Sequence, residues 1–226
     1  MGTFFIVATP IGNLEDITLR ALRILKEADV IFCEDTRMTK KLCMHYGIET
    51  PLKRYDAHAS EGRHLEIIDR LEKGGRVVLV TDAGTPCISD PGYRIINMVR
   101  EELPHTSIEA IPGASALTAA LSVAGLSSAE FVFLGFLPHK KGRETLFREI
   151  GEIARAVVLY ESPHRLMKTL ESLQKHLLTD RRVAVVREIT KIHESVVRGT
   201  VEEVYAYFSE HGDQVRGECV VIVEAS

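Results

Sequence analysis

The chain has 226 residues, 45% hydrophobic and 27% charged, with a net charge of −4. This composition fits a globular protein with room for one large domain or two of about 110 residues, each able to bury a workable core. It excludes a protein that coats nucleic acid through bulk positive charge, and no apolar run approaches the roughly 18 residues that span a bilayer.

Strands and helices alternate along the chain. Residues 3–8 read as a strand with no basic leader before it, so a cytoplasmic protein is expected. Residues 18–28 carry Leu19, Leu22, Leu25 and Ala28 at helical spacing behind Asp16 or Thr18 as N-cap. A strand at 29–34 and a short helix at 37–46 follow, then a helix at 61–73 that Gly74 and Gly75 end. Residues 76–81 form a near-continuous β-branched run, the pattern of a strand buried on both faces of a parallel sheet. Residues 93–102 read as a helix, 107–111 as a strand, and 114–124 as a helix of small residues.

The cycle then begins again. Strands are expected at 131–136, 156–160, 183–187, 194–199 and 219–224, with helices at 142–153, 166–176 and 201–210. Two α/β domains, 1–112 and 113–226, are the simplest architecture.

Cys33, Cys43, Cys87 and Cys219 form no C-x-x-C pair, and the nine histidines are scattered singly, so reduced thiols and no metal site are expected. Basic residues cluster only locally: Arg37 with Lys40 and Lys41, His139–Lys141 with Arg143, and Arg181 with Arg182.

Three turns after strands are rich in Gly, Pro and small polar residues: 8–13, 81–92 and 111–116. In α/β proteins ligands bind beyond the carboxyl ends of strands. Gly lets backbone approach a ligand, Pro sets a turn without needing a donor, and N–H groups at a helix start suit a carboxylate. Neither a G-x-G-x-x-G fingerprint nor a phosphate-loop motif is present, which argues against dinucleotide enzymes and P-loop NTPases.

At these turns the chain resembles the tetrapyrrole methylase superfamily, and within it the bacterial small-subunit ribosomal RNA cytidine 2′-O-methyltransferase branch. The matching segments are ATPIGN (8–13), EDTR (34–37), LVTDAGTPCISDPG (79–92), IPGASA (111–116), GFLP with Lys140 (135–138), YESPHR (160–165) and VREITK with His193 and Glu194 (186–191). They run in order over essentially the whole chain.

The resemblance implies two α/β domains with S-adenosylmethionine in a cleft between them, a homodimer, and ribosomal RNA or the small ribosomal subunit as partner. Its cofactor-facing positions fall on Pro10, Asp82, Ala83, Gly84, Thr85, Ile88, Ser115, Ala116, Tyr160, Ile189 and Cys219. Thr85 stands where the porphyrin enzymes carry an acidic residue. Relatives in the ribosomal branch usually continue past the last strand with a small helical extension; this sequence ends at Ser226.

Methyl transfer to a ribose hydroxyl is an in-line displacement that needs alignment and a base, which contributes about 10²–10⁴-fold. Asp82, Glu161, His164, Glu188 and Lys191 are candidates by type and placement. Glu161 and Glu188 are favoured, because both follow strands expected to face the cleft; the competing role for each is an ion pair with Arg165 or Lys191. Lys140, Lys141 and Arg143 are the expected RNA phosphate contacts. Two other functions fit the same motifs: methylation of a tetrapyrrole or protein side chain, and cofactor binding without catalysis.

Overall fold

The computed structural model describes residues 1–90, 92–178 and 180–226. Pro91, within the second Gly/Pro turn, lies outside the described residues. The contacts divide the chain into two compact units, Met1–Ser115 and Ala116–Ser226.

The first unit contains β1 (Thr3–Val7), α1 (Leu19–Glu27), β2 (Val30–Cys33), α2 (Thr36–Tyr46), β3 (Leu52–Arg54), α3 (Glu61–Glu72), β4 (Arg76–Leu79), α4 (Tyr93–Glu102) and β5 (Ser107–Ile111). Its sheet runs β3-β2-β4-β1-β5, and every pairing is parallel. The β-branched run of β4 is central, between β1 and β2.

Alternation along the central strands fills two cores. Phe5, Val7, Ile31, Cys33, Val78 and Val80 pack with Ala21, Ile24 and Leu25 of α1 and Cys43 of α2. Phe4, Val30, Phe32, Val77 and Leu79 pack with Ile67, Ile68 and Leu71 of α3 and Ile95 and Val99 of α4. Burial on both faces is why these strands read as unbroken apolar runs.

The second unit contains α5 (Ala116–Ala124), β6 (Phe131–Phe136), α6 (Arg143–Glu152), β7 (Ala156–Glu161), α7 (Pro163–His176), β8 (Arg182–Arg187), β9 (Ser195–Thr200), α8 (Val201–Glu210) and β10 (Cys219–Val223). Its sheet, β6-β7-β10-β8-β9, is mixed: only β6 and β7 run parallel. Val157, Leu159, Val183, Val185, Val221 and Val223 point into one core with Phe147, Leu166, Leu170 and Phe208. α5 packs on β8, β9 and β10.

β3 carries one apolar residue in three and gave no periodic signal in the sequence. α7 starts at Pro163 rather than 166, since proline at the first helical position fixes a helical φ and loses no needed donor. Arg181, read as half of a basic surface pair, is 4% exposed. Its guanidinium donates to the carbonyls of Ile150, Gly151, Ile153, Arg155 and Glu224 at 2.7–3.3 Å, which closes the carboxyl end of α6.

Candidate functional site

The three Gly/Pro turns of the first unit are joined. Thr9 and Gly84 exchange backbone hydrogen bonds of 2.9 and 3.0 Å, bridging the turn after β1 to the turn after β4. Thr85 Oγ1 donates to the Ala114 carbonyl at 3.1 Å, bridging on to the turn after β5. Gly84 sits at φ +91, and a Cβ there would lie 3.3 Å from Ile11 Cγ2. A left-handed φ at a point of close approach is why glycine stands there. Pro10, Ala83 and Ser115 lie on these joined turns, and Ile88, 38% exposed, lies further along the second.

Carboxylates gather at the ends of β2 and β4. The Thr81 hydroxyl donates to Glu34, and Asp82 Oδ1 accepts the Asp35 N–H at 3.0 Å. Burial, then the nearby Glu34, pushes Asp90 up to about 6 despite a hydrogen bond from Thr81, and burial also raises Glu34. Asp35, beside Glu34 in sequence, goes the other way, to about 2, because Arg37 hydrogen-bonds it. Adjacent carboxyls are thus tuned in opposite directions by their surroundings.

In the second unit the register brings the other expected residues to one sheet edge. Cys219, first in β10, pairs with Glu161 at the end of β7 and with Arg187 at the end of β8. Ile189 follows two residues after β8 and is buried. Tyr160 packs edge-on against Phe133, ring centroids 5.0 Å apart, and tilted against Phe136 at 5.5 Å. Burial pushes the Cys219 thiol up to about 12, which keeps it protonated and unreactive. Ala116 is the first residue of α5.

Both favoured carboxylates are committed to internal partners. Glu161 is 1% exposed; it accepts from Arg165 at 2.7 Å, Thr169 Oγ1 at 2.5 Å and its neighbour's Ser162 N–H at 2.7 Å, with Arg143 at 3.4 Å. Glu188, at φ 50, accepts the Glu218 N–H and Lys191 Nζ, both at 3.0 Å. These contacts match the ion-pair role for each rather than that of a free base.

Arg143 also differs from expectation. It donates to Thr169 at 2.7 Å and to the Pro138 carbonyl at 3.3 Å, and stacks 4.9 Å over the Phe147 ring, whereas Lys140 and Lys141 are exposed. Sequence reading did not single out Glu34, Asp90 or Arg187, although each lies within a quoted motif. His164 is exposed on the first turn of α7. Among the described residues the four cysteines are free, and no group of three His, Cys, Asp or Glu side chains is placed to hold a metal. Among them, too, no helix is long and apolar enough to cross a membrane.

A family model of tetrapyrrole (corrin/porphyrin) methylases matches residues 3–205. A Synechocystis protein named ribosomal RNA small subunit methyltransferase I is 45% identical, with 100% of this chain and 80% of the relative covered. A Thermotoga maritima protein of the same name is 42% identical, with 99% and 98% covered. Among solved structures, uroporphyrin-III C-methyltransferase from Thermus thermophilus, complexed with S-adenosyl homocysteine, superposes with a TM-score of 0.65 at 21% identity, covering 99% of this chain and 97% of that one.

Proposed function

This chain belongs to the tetrapyrrole methylase family, and we propose that it is an S-adenosylmethionine-dependent enzyme methylating a cytidine 2′-hydroxyl in small-subunit ribosomal RNA. The observation that carries the reading is the joined set of turns at Thr9, Gly84 and Ala114, in a chain whose full length matches relatives of one name. Bacterial relatives of that name support a cytoplasmic site of action, and the family resemblance supports a homodimer.

The residues present fit the cofactor on structural grounds. Gly84 keeps side-chain bulk out of the joined turns, and Glu34, Asp82 and Asp90 put negative charge at the ends of β2 and β4, where a sulfonium cation is favoured. When bound, the cofactor supplies an already activated methyl group. The chain's work is to bind, orient and exclude water. Pro10, Asp82, Ala83, Gly84, Thr85, Ile88 and Ser115 are the proposed binding positions in the first unit, and Ala116, Tyr160, Ile189 and Cys219 in the second.

Glu161 and Glu188 act in this reading as positioning residues. Glu161 holds Arg165 and Arg143, and Glu188 holds Lys191 and the Glu218 backbone. Arg165 Nη1 also donates to the Leu137 carbonyl at 2.9 Å, which fixes the guanidinium beside the exposed Lys140–Lys141 turn. Those lysines are the proposed phosphate contacts.

The test is cofactor turnover with three candidate acceptors: small ribosomal subunits, a uroporphyrinogen and no acceptor. S-adenosylhomocysteine formed only with subunits supports the reading; formation only with the tetrapyrrole overturns it.

A further inference from the structure

A cavity of about 240 Å³ opens in the first unit, lined by Tyr55, Asp56, His64, Asp90, Tyr93 and Arg94 among others. Its walls come from the same edge of the parallel sheet as the joined turns. Tyr55 and Asp56 directly follow β3, Asp90 lies between β4 and α4, Tyr93 and Arg94 open α4, and His64 is in the first turn of α3. None of these is among the expected cofactor positions.

The wall chemistry is selective. Two carboxylates against one guanidinium make a poor pocket for an anion alone. Tyr55 is 3% exposed and packs against His64 with ring centroids 5.6 Å apart, a rigid aromatic wall. Tyr93 is 67% exposed, and Arg94 Nε donates to its hydroxyl at 3.3 Å, so a ring and a cation stand together at the surface. Gly92 sets where they stand: at φ +138, any Cβ would lie 2.8 Å from Cys87 Sγ. The pocket therefore suits a flat ring that carries an amine, with its phosphate outside.

We propose that this cavity receives the cytosine base of the acceptor nucleotide, with Asp90 accepting its exocyclic amine, Tyr93 stacking on the ring and Arg94 meeting the phosphate. The assignment rests on the RNA reading above. Carboxylates pair with the cytosine amine, whereas uracil presents a carbonyl at the same position and repels them. Single-stranded bases are recognised by stacking on aromatic side chains. At about 6, the Asp90 carboxyl is ionised at neutral pH and is an acceptor there. Asp56 is engaged by a cation, Arg54 at 2.7 Å, and by the His58 N–H at 2.9 Å, whereas Asp90 is held by the neutral Thr81 hydroxyl, so Asp90 is the reading group.

The test uses the full chain without cofactor, titrated with short single-stranded oligomers of cytidine and of uridine. Wild type is expected to prefer the cytidine oligomer by at least roughly fivefold. Asp90→Asn replaces the acceptor with an amide that serves either base, so the preference disappears while circular dichroism stays native. Tyr93→Ala, at an exposed position, weakens both oligomers by roughly fivefold or more. S-adenosylmethionine affinity stays unchanged in Tyr93→Ala, so a loss of stacking is distinguished from a disturbed cofactor site. Equal binding of the two oligomers by wild type, or unchanged binding by Tyr93→Ala, overturns the assignment. A wild type that prefers cytidine yet transfers no methyl to subunits supports the pocket and removes the RNA methylation reading instead.

Discussion

Thr9 and Gly84, 75 residues apart in sequence, exchange two backbone hydrogen bonds of 2.9 and 3.0 Å, and this exchange locks the turn after β1 to the turn after β4. The arrangement depends on a left-handed φ of +91 at Gly84 and on clearance to Ile11. Gly84→Ala forces an L-residue into that region, at a cost of about 1–2 kcal/mol, and pushes on Ile11. The distortion falls on the proposed cofactor turns. Calorimetry is expected to show S-adenosylmethionine affinity down roughly tenfold, with the melting temperature lowered by a few degrees. Unchanged affinity in the variant separates these turns from the cofactor.

Glu161 holds two guanidinium groups that are themselves only 15% and 16% exposed. Removing one partner of such a buried set strands the others, at about 3–5 kcal/mol. Glu161→Ala is expected to lose that much in urea unfolding. A variant within about 1 kcal/mol of wild type, but without methyl transfer, would restore Glu161 as the proton acceptor.

Much of the fold was legible from apolar runs, because β4 and its neighbours are buried on both faces and nothing polar interrupts them. β3 was not legible, since Leu52, Lys53 and Arg54 have no strand signature and are paired only through β2. The Gly/Pro turns were legible as three separate segments, but their mutual hydrogen bonds join residues 75 and 29 positions apart and leave no local trace. Charged residues misled for a related reason. Arg143, Glu161 and Arg181 have the composition of surface, and only tertiary structure shows that Arg143 and Glu161 pair with each other while Arg181 caps backbone carbonyls inside the second unit.

Arg181 satisfies five carbonyls with one planar group. Arg181→Ala leaves the end of α6 without donors and is expected to cost about 3 kcal/mol or more. Arg181→Lys recovers little, since an ammonium cannot span the same fork. Chemical unfolding of both variants checks this, and full rescue by lysine would contradict the capping geometry.

The raised Asp90 carboxyl gives a stability signature with a definite sign. In the unfolded chain an aspartate titrates near ~4, and in the native state near about 6. Between these values the native state binds more protons, so stability falls as pH rises through the window and then levels. Glu34, also raised, adds in the same direction; Asp35, lowered to about 2, acts only below pH ~4, where its loss destabilises. Urea unfolding of wild type and Asp90→Asn at pH 4.5 and 7 is expected to show a smaller fall for the variant. Identical falls would contradict the shift.

Lys140 and Lys141 are exposed, whereas Arg143 is held inside the second unit. Replacing both lysines with alanine is expected to flatten the salt dependence of RNA binding by about 0.7 in log–log slope for each phosphate left without its lysine. Arg143→Ala should lower stability and leave that slope alone. The reverse pattern would assign the phosphate to Arg143.

The most direct measurement of the central claim is transfer of radiolabelled methyl from S-adenosylmethionine to small ribosomal subunits that lack ribose methylation, followed by mapping of the label. Label at a 2′-O-methylcytidine is the predicted result. Tight cofactor binding with no label in RNA, or label on a base, would contradict it.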